Sequence, residues 1–337
     1  MRRRTAGFDI RMDGHYSRFQ HIGTGDPDMQ HTSRRSFVQS AAIAGVAAAF
    51  GPEGVEARQT APAGIRVEND IVFGKGGDMD LRLDIYHPTA GTSKRMAAIH
   101  IHGGGFQAGS KAGVASSSRA FAELGYVSIA SQYRLTGQGR WPAQIEDVKA
   151  AIRWTRANAT RLNIDADKIA VAGYSAGGLM ALFAAATPDR KEFEGSGGNP
   201  GVSTKVSACV AFYPATTANA NLLPEGSDRT AIDAASPINY ISASFAPTIF
   251  LHGVEDTTIR PENSMAFFEK LRAAGVKVDL HLFQGAPHAF EVNNPDAALA
   301  SAQVTDLFFD RLVLNPREYP PFGGGRGGRG GARGGPQ

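Results

Sequence analysis

The chain has 337 residues, 42% of them hydrophobic and 20% charged, the balance of a folded chain with a sizeable core. Its formal net charge of +3 resides at the ends: residues 58–322 hold 25 Lys and Arg against 26 Asp and Glu, which excludes a basic nucleic-acid footprint from the folded part. The single cysteine, Cys209, excludes an intrachain disulfide, and no apolar run reaches the roughly 18 residues that a membrane-spanning helix needs.

Residues 1–57 read as an accessory. Ser33-Arg34-Arg35-Ser36-Phe37-Val38-Gln39 precedes a mild apolar run, Ala41–Phe50, and then small residues, an arrangement similar to a twin-arginine export signal. Cleavage is expected after Ala57 or Ala63, and Met29 is an alternative start. The expected location is therefore periplasmic or secreted. At the other end, residues 323–337 form an arginine-glycine repeat that cannot bury a core, so disorder is expected there.

Between these ends, residues 58–322 alternate strand-like and helical patterns. Ile65–Phe73 and Met79–Tyr86 read as a hairpin. Met96–Ile101 (strand), Val114–Leu124 (helix), Tyr126–Gln132 (strand), Ala143–Ala159 (helix), Lys168–Ala172 (strand) and Ala176–Ala186 (helix) follow. Val206–Tyr213, Thr248–Leu251 and Val276–Phe283 read as further strands, with helices at Pro261–Ala274 and Pro295–Leu314. Short continuous apolar strands separated by helices predict one α/β domain, a mostly parallel sheet covered on both faces. Cys209 falls inside such a strand, as a buried thiol.

The chemistry-bearing motifs lie at strand ends. Gly173-Tyr174-Ser175-Ala176-Gly177-Gly178 follows a strand and opens an apolar helix, the context of a G-x-S-x-G elbow that exposes a serine hydroxyl above a sheet. His102-Gly103-Gly104-Gly105-Phe106 follows an earlier strand, where a second arm of an oxyanion hole belongs. The N–H groups of Gly104, Gly105 and Ala176 are the expected donors, with His102 bracing the loop. A serine nucleophile needs a base and an orienting carboxylate. Of the two late histidines, His281 alternates with Lys277 and Asp279 onto the exposed face of a strand, whereas His288 lies in the loop after it. His288 is the expected base. His252-Gly253-Val254-Glu255-Asp256 follows another strand and offers Asp256 as the acid, with Glu255 as its rival; Glu146 and Asp147 read as scaffold contacts within a helix. No spacing of a metal site, P-loop or dinucleotide motif is present, so neither metal nor cofactor is expected.

Together with Ser131-Gln132-Tyr133-Arg134-Leu135 and Pro287-His288-Ala289-Phe290, these motifs resemble the α/β-hydrolase esterases of the hormone-sensitive-lipase and acetyl-xylan/feruloyl-esterase-like groups over residues 65–314. The resemblance implies an α/β-hydrolase fold, with Ser175 as nucleophile, His288 as base, Asp256 as its partner and an oxyanion hole from Gly103–Gly105 and Ala176. Hormone-sensitive-lipase relatives carry a helical cap ahead of the His-Gly-Gly-Gly loop. Here that stretch reads as a hairpin and linkers, and residues 214–235 form only a modest loop, so an open site without a large cap is expected. Such a site suits a short acyl group, acetyl or feruloyl, on a small molecule or an oligosaccharide. The competing readings are a serine peptidase or a lipase on the same fold, and a non-catalytic binding protein.

Overall fold

The computed structural model describes residues 64–319; the export signal, its cleavage sites and the arginine-glycine tail expected from the sequence lie outside the described residues. Strands β1 (Arg66–Gly76) and β2 (Met79–His87) form the expected hairpin, turning at Gly77-Asp78. Then come β3 (Ala97–Ile101), α1 (Ala115–Glu123), β4 (Val127–Ser131), α2 (Ala143–Ala157), the single turn α3 (Ala159–Leu162) and β5 (Ile169–Tyr174). The chain continues with α4 (Ala176–Ala186), β6 (Ala208–Phe212), α5 (Arg229–Ala234), β7 (Thr248–Gly253), α6 (Glu262–Ala273), β8 (Val278–Phe283) and α7 (Pro295–Phe309).

The eight strands make one sheet in the order β1-β2-β4-β3-β5-β6-β7-β8. Its first two pairings, β1 with β2 and β2 with β4, are antiparallel, and the other five are parallel. The period-two geometry of a strand sends alternate side chains to opposite faces. Ile99, Ile101, Val171, Cys209 and Phe250 enter a core shared with α2, α4 and α6. Ala98, Ala170, Tyr174, Val210, Phe212 and Leu251 enter a second core beneath α1 and α7. Both faces of the central strands are therefore sealed, which is why β3 to β7 read as unbroken apolar runs.

The edge strand β8 departs from the expected pattern. Its alternation predicted an exposed His281, yet that residue is half-buried, with its ring centroid 4.5 Å from that of Phe283. Leu282, expected on the covered face, is 39% exposed. Val278 and Leu280 pack against the first core and Phe283 against the second, but at the edge of the sheet this cover is only partial and the in-out contrast fades.

Two features position the candidate site. The strand order reverses between β3 and β5, so the loop after β3 and the loop after β5 emerge side by side at the carboxyl edge of the sheet, where open α/β sheets bind ligands. The segment between β6 and β7 contains only α5 and a short turn at Pro237–Tyr240, and residues 64–101 contain only the hairpin and β3. Among the described residues nothing forms a large cap.

Candidate active site

Ser175 occupies the turn between β5 and α4 with φ 54° and ψ −115°, a left-handed conformation that is strained for a residue with a Cβ. The backbone holds it there. Its N–H donates to Phe212 O in β6 at 3.0 Å, and its carbonyl accepts the N–H groups of Gly178 and Ala215 at 2.9 and 3.1 Å. Close packing explains the glycine two residues on, since a Cβ on Gly177 would lie 2.1 Å from Ile101 O at the end of β3. The residues from Ala176 to Ala185 are all buried, so α4 is a rigid central helix whose N-terminus, with the Ala176 N–H, begins directly at the serine.

His288 reaches Ser175 from the loop after β8. Its Nε2 lies 3.0 Å from Ser175 Oγ, and its Nδ1 lies 2.6 Å from Asp256 Oδ2. The loops after β7 and β8 are tied by the Glu255 N–H donating to Ala286 O at 3.0 Å. Of the two acidic candidates, the fold brings Asp256 to His288, while Glu255 is exposed and contributes its backbone. Asp256 has no side-chain exposure, and burial alone would raise its pKa. Hydrogen bonds from His252, His288 and the Ile259 N–H outweigh that effect and hold the carboxyl well below its ordinary range. It is an anion at neutral pH.

The loop after β3 lies against the elbow, because a Cβ on Gly103 would come within 3.2 Å of Ser175 Cβ. Gly104 has φ +112°, which an L side chain rarely adopts, and its carbonyl accepts the N–H groups of Gln107 and Ala108. The N–H groups of Gly104, Gly105 and Ala176 have no backbone or side-chain acceptor among the described residues. His102 is fully buried, stacks on Tyr133 at 4.4 Å and donates from Nδ1 to Gly103 O at 2.8 Å. Burial pulls its pKa down to about 4, so it is a neutral brace. Arg134 and Asp147 likewise form scaffold: Arg134 Nη2 and Nε each meet a carboxylate oxygen of Asp147, at 2.7 and 2.8 Å.

Four residues near the site were given no role by the sequence. His252 Nε2 lies 3.1 Å from Asp256 Oδ2, and its Nδ1 lies 2.8 Å from Ser264 Oγ in α6. Tyr213, at the end of β6, sets its ring edge-on to His288 at 4.6 Å and donates its hydroxyl to Glu291. Burial pushes the Glu291 carboxyl up to about 7. His252 was visible as the first residue of the His-Gly-x-x-Asp motif. Nothing in the spacing of Tyr213, Ser264 and Glu291 pointed to the site. A cavity of about 10 Å³, lined by Ser175, His288, Val114, Tyr174, Tyr213 and Glu291 among others, opens beside the serine. Among the described residues, no group of three or more His, Cys, Asp or Glu could hold a metal ion.

The serine, imidazole and carboxylate in this sequence, beside unpaired N–H groups, can carry out acyl transfer through a serine ester. Comparisons with known proteins agree in kind. The BD-FAE family model matches residues 83–271. The probable carboxylic ester hydrolase LipM of Mycobacterium tuberculosis is 29% identical, over 72% of this chain and 60% of its own length. The chain spans about 60% of the length of such curated relatives. Thermogutta terrifontis esterase 2 phosphorylated by paraoxon superposes with a TM-score of 0.65 and 29% identity, covering 76% of this chain and 97% of that one. A truncated carbohydrate esterase from gut microbiota gives a TM-score of 0.60 and 25% identity, covering 71% and 96%. The architecture is thus the α/β-hydrolase fold.

Proposed function

The chain belongs to the BD-FAE family of α/β-hydrolases, and on that premise we propose that it is a carboxylic-ester hydrolase acting on short acyl esters through Ser175, His288 and Asp256. The observation that carries the reading is the continuous relay Ser175–His288–Asp256, with contacts of 3.0 and 2.6 Å. In this reading Ser175 Oγ attacks the ester carbonyl while His288 Nε2 accepts its proton, and Asp256 stabilises the imidazolium. The N–H groups of Gly104, Gly105 and Ala176 receive the oxyanion. His288 then protonates the leaving alcohol, and afterwards takes a proton from the water that cleaves the acyl-enzyme.

For the substrate we propose an acetyl ester of a carbohydrate. The cavity beside Ser175 has about the volume of one water molecule, which favours an acetyl methyl over the aromatic feruloyl group. A groove of about 310 Å³, lined by Gln107 of the oxyanion loop with Arg140, Glu225 and Ser227, offers hydrogen-bonding groups for a polyhydroxylated alcohol. The likeness to a carbohydrate esterase points the same way. Export through residues 1–57 belongs to the same proposal, and Arg34→Lys with Arg35→Lys should retain the protein in the cytoplasm of a host that exports it.

The decisive experiment treats the full chain and Ser175→Ala with paraoxon and with p-nitrophenyl acetate. The expected result is one diethylphosphoryl adduct, mapped to Ser175 by mass spectrometry, and a loss of kcat/KM in the variant of at least about 10⁴-fold. Turnover by folded Ser175→Ala close to that of the wild type would overturn the assignment.

A further inference from the structure

Asp256 serves two imidazoles. Its Oδ1 accepts the backbone N–H groups of Thr258 and Ile259 at 2.8 and 2.9 Å, which anchors the carboxylate in its own loop. Its Oδ2 lies 2.6 Å from His288 Nδ1 and 3.1 Å from His252 Nε2. His252 stands at the end of β7 and is fully buried. Its Nε2 faces two acceptors, this Oδ2 and the Ile259 carbonyl at 2.8 Å, so Nε2 carries the proton. Nδ1 is then an acceptor, and the buried Ser264 hydroxyl 2.8 Å away is placed to donate to it. Partners on both sides fix one tautomer.

We propose that His252 is a positioning residue that acts on the base through Asp256, dividing the hydrogen-bonding capacity of Oδ2 between two imidazoles and so setting the pH at which His288 takes up its proton. Its catalytic meaning rests on the esterase reading, whereas the proton equilibrium exists without turnover. A carboxylate oxygen that accepts a second N–H has part of its charge neutralised, and it stabilises a neighbouring imidazolium less. Without the His252 N–H, the anchored Oδ1 keeps the carboxylate in place and Oδ2 turns wholly to His288. The imidazolium gains stability, and His288 holds its proton to higher pH.

The other ionisable groups around the pair do not share Oδ2. Tyr213 packs against the His288 ring with Glu291 behind it. Glu262 lies on the first turn of α6, two residues before Ser264. Glu255 and Arg260 flank the loop with exposed side chains.

Nitrogen-15 NMR of the full chain, labelled at histidine, tests this directly. In the wild type the proton of neutral His252 should sit on Nε2. His252→Met removes the donor at similar length, and the His288 midpoint should rise by roughly 0.5 to 1 unit. His252→Gln restores an N–H near the former Nε2 and should bring the midpoint back. The acid limb of kcat/KM for p-nitrophenyl acetate should move with it. An unmoved or lowered midpoint in the folded Met variant overturns the proposal. So does a wild-type His252 protonated on Nδ1, a result that needs no variant. An inactive wild type with the expected midpoints would overturn the esterase reading alone.

Discussion

Asp256, bonded to His288, and Glu291, bonded to the Tyr213 that packs on the His288 ring, are two buried carboxyls whose surroundings push them in opposite directions. Asp256 is lowered, so its contribution to stability is present above the unfolded value of 3.8 and is lost as pH falls through its folded value. Glu291 is raised to about 7 from 4.5, chiefly by burial, so the folded protein binds its proton where the unfolded chain has released it. Its stabilising effect is complete below about pH 4.5 and is lost as pH rises through 7. The size of that loss is about 3 kcal/mol. Glu291→Gln keeps an acceptor for the Tyr213 hydroxyl and removes the ionisation. Its melting temperature relative to the wild type should therefore climb from pH 5 to pH 8.5, measured by scanning calorimetry. A difference that stays constant with pH would show that Glu291 is not protonated in the native state below 7.

At the scale of elements, three of the charged side chains of α2, Asp147, Lys149 and Arg153, are buried, and each has a partner outside the helix. Asp147 anchors Arg134 in the loop after β4, while Lys149 and Arg153 both grip Glu194 at 2.8 Å in the segment between α4 and β6. Lys149 is fully buried and also donates to Thr187 O. Removing the shared acid strands two buried cations, so Glu194→Ala should cost about 3 kcal/mol, near the low end for a broken buried pair because Glu194 retains some exposure. Urea denaturation measures this, and kcat/KM per folded molecule should be unchanged because none of these groups reaches Ser175. Such pairings explain what the sequence could and could not disclose. Strands β3 to β7 and helices α1, α2, α4, α6 and α7 were legible because burial of one or both faces imposes a period on a single segment. Ser175, His102–Gly105, Asp256 and His288 were legible because each sits in a local motif at a strand end. Lys149 with Glu194, Tyr213 with Glu291 and His252 with Ser264 were not, since each pair is made by tertiary packing across segments that carry no shared spacing. The half-covered edge β8 misled for the complementary reason, as its partial cover does not enforce the alternation.

Across the whole molecule, with no large cap among the described residues, the proposed esterase would select its acyl group at the small cavity beside Ser175 and its alcohol along the open groove. A pocket that accepts a growing alkyl chain gains about 0.8 kcal/mol per buried methylene, roughly fourfold in rate constant for each carbon added. Here Val114, Tyr174 and Tyr213 stand within the lining of a cavity of about 10 Å³, so added carbons meet packed side chains before they can be buried. Overpacking of that kind costs about 1–3 kcal/mol. The proposed enzyme should therefore prefer p-nitrophenyl acetate over the hexanoate by at least about fivefold in kcat/KM. Val114→Ala should relieve the wall and narrow that ratio, with its largest effect on the longer ester. Acetylated xylo-oligosaccharide, whose bulk lies on the alcohol side, should be turned over at least as well as the nitrophenyl acetate. A profile that rises steadily with chain length would mean that the cavity opens on binding, and the acyl group would then be chosen by a larger, lipase-like pocket.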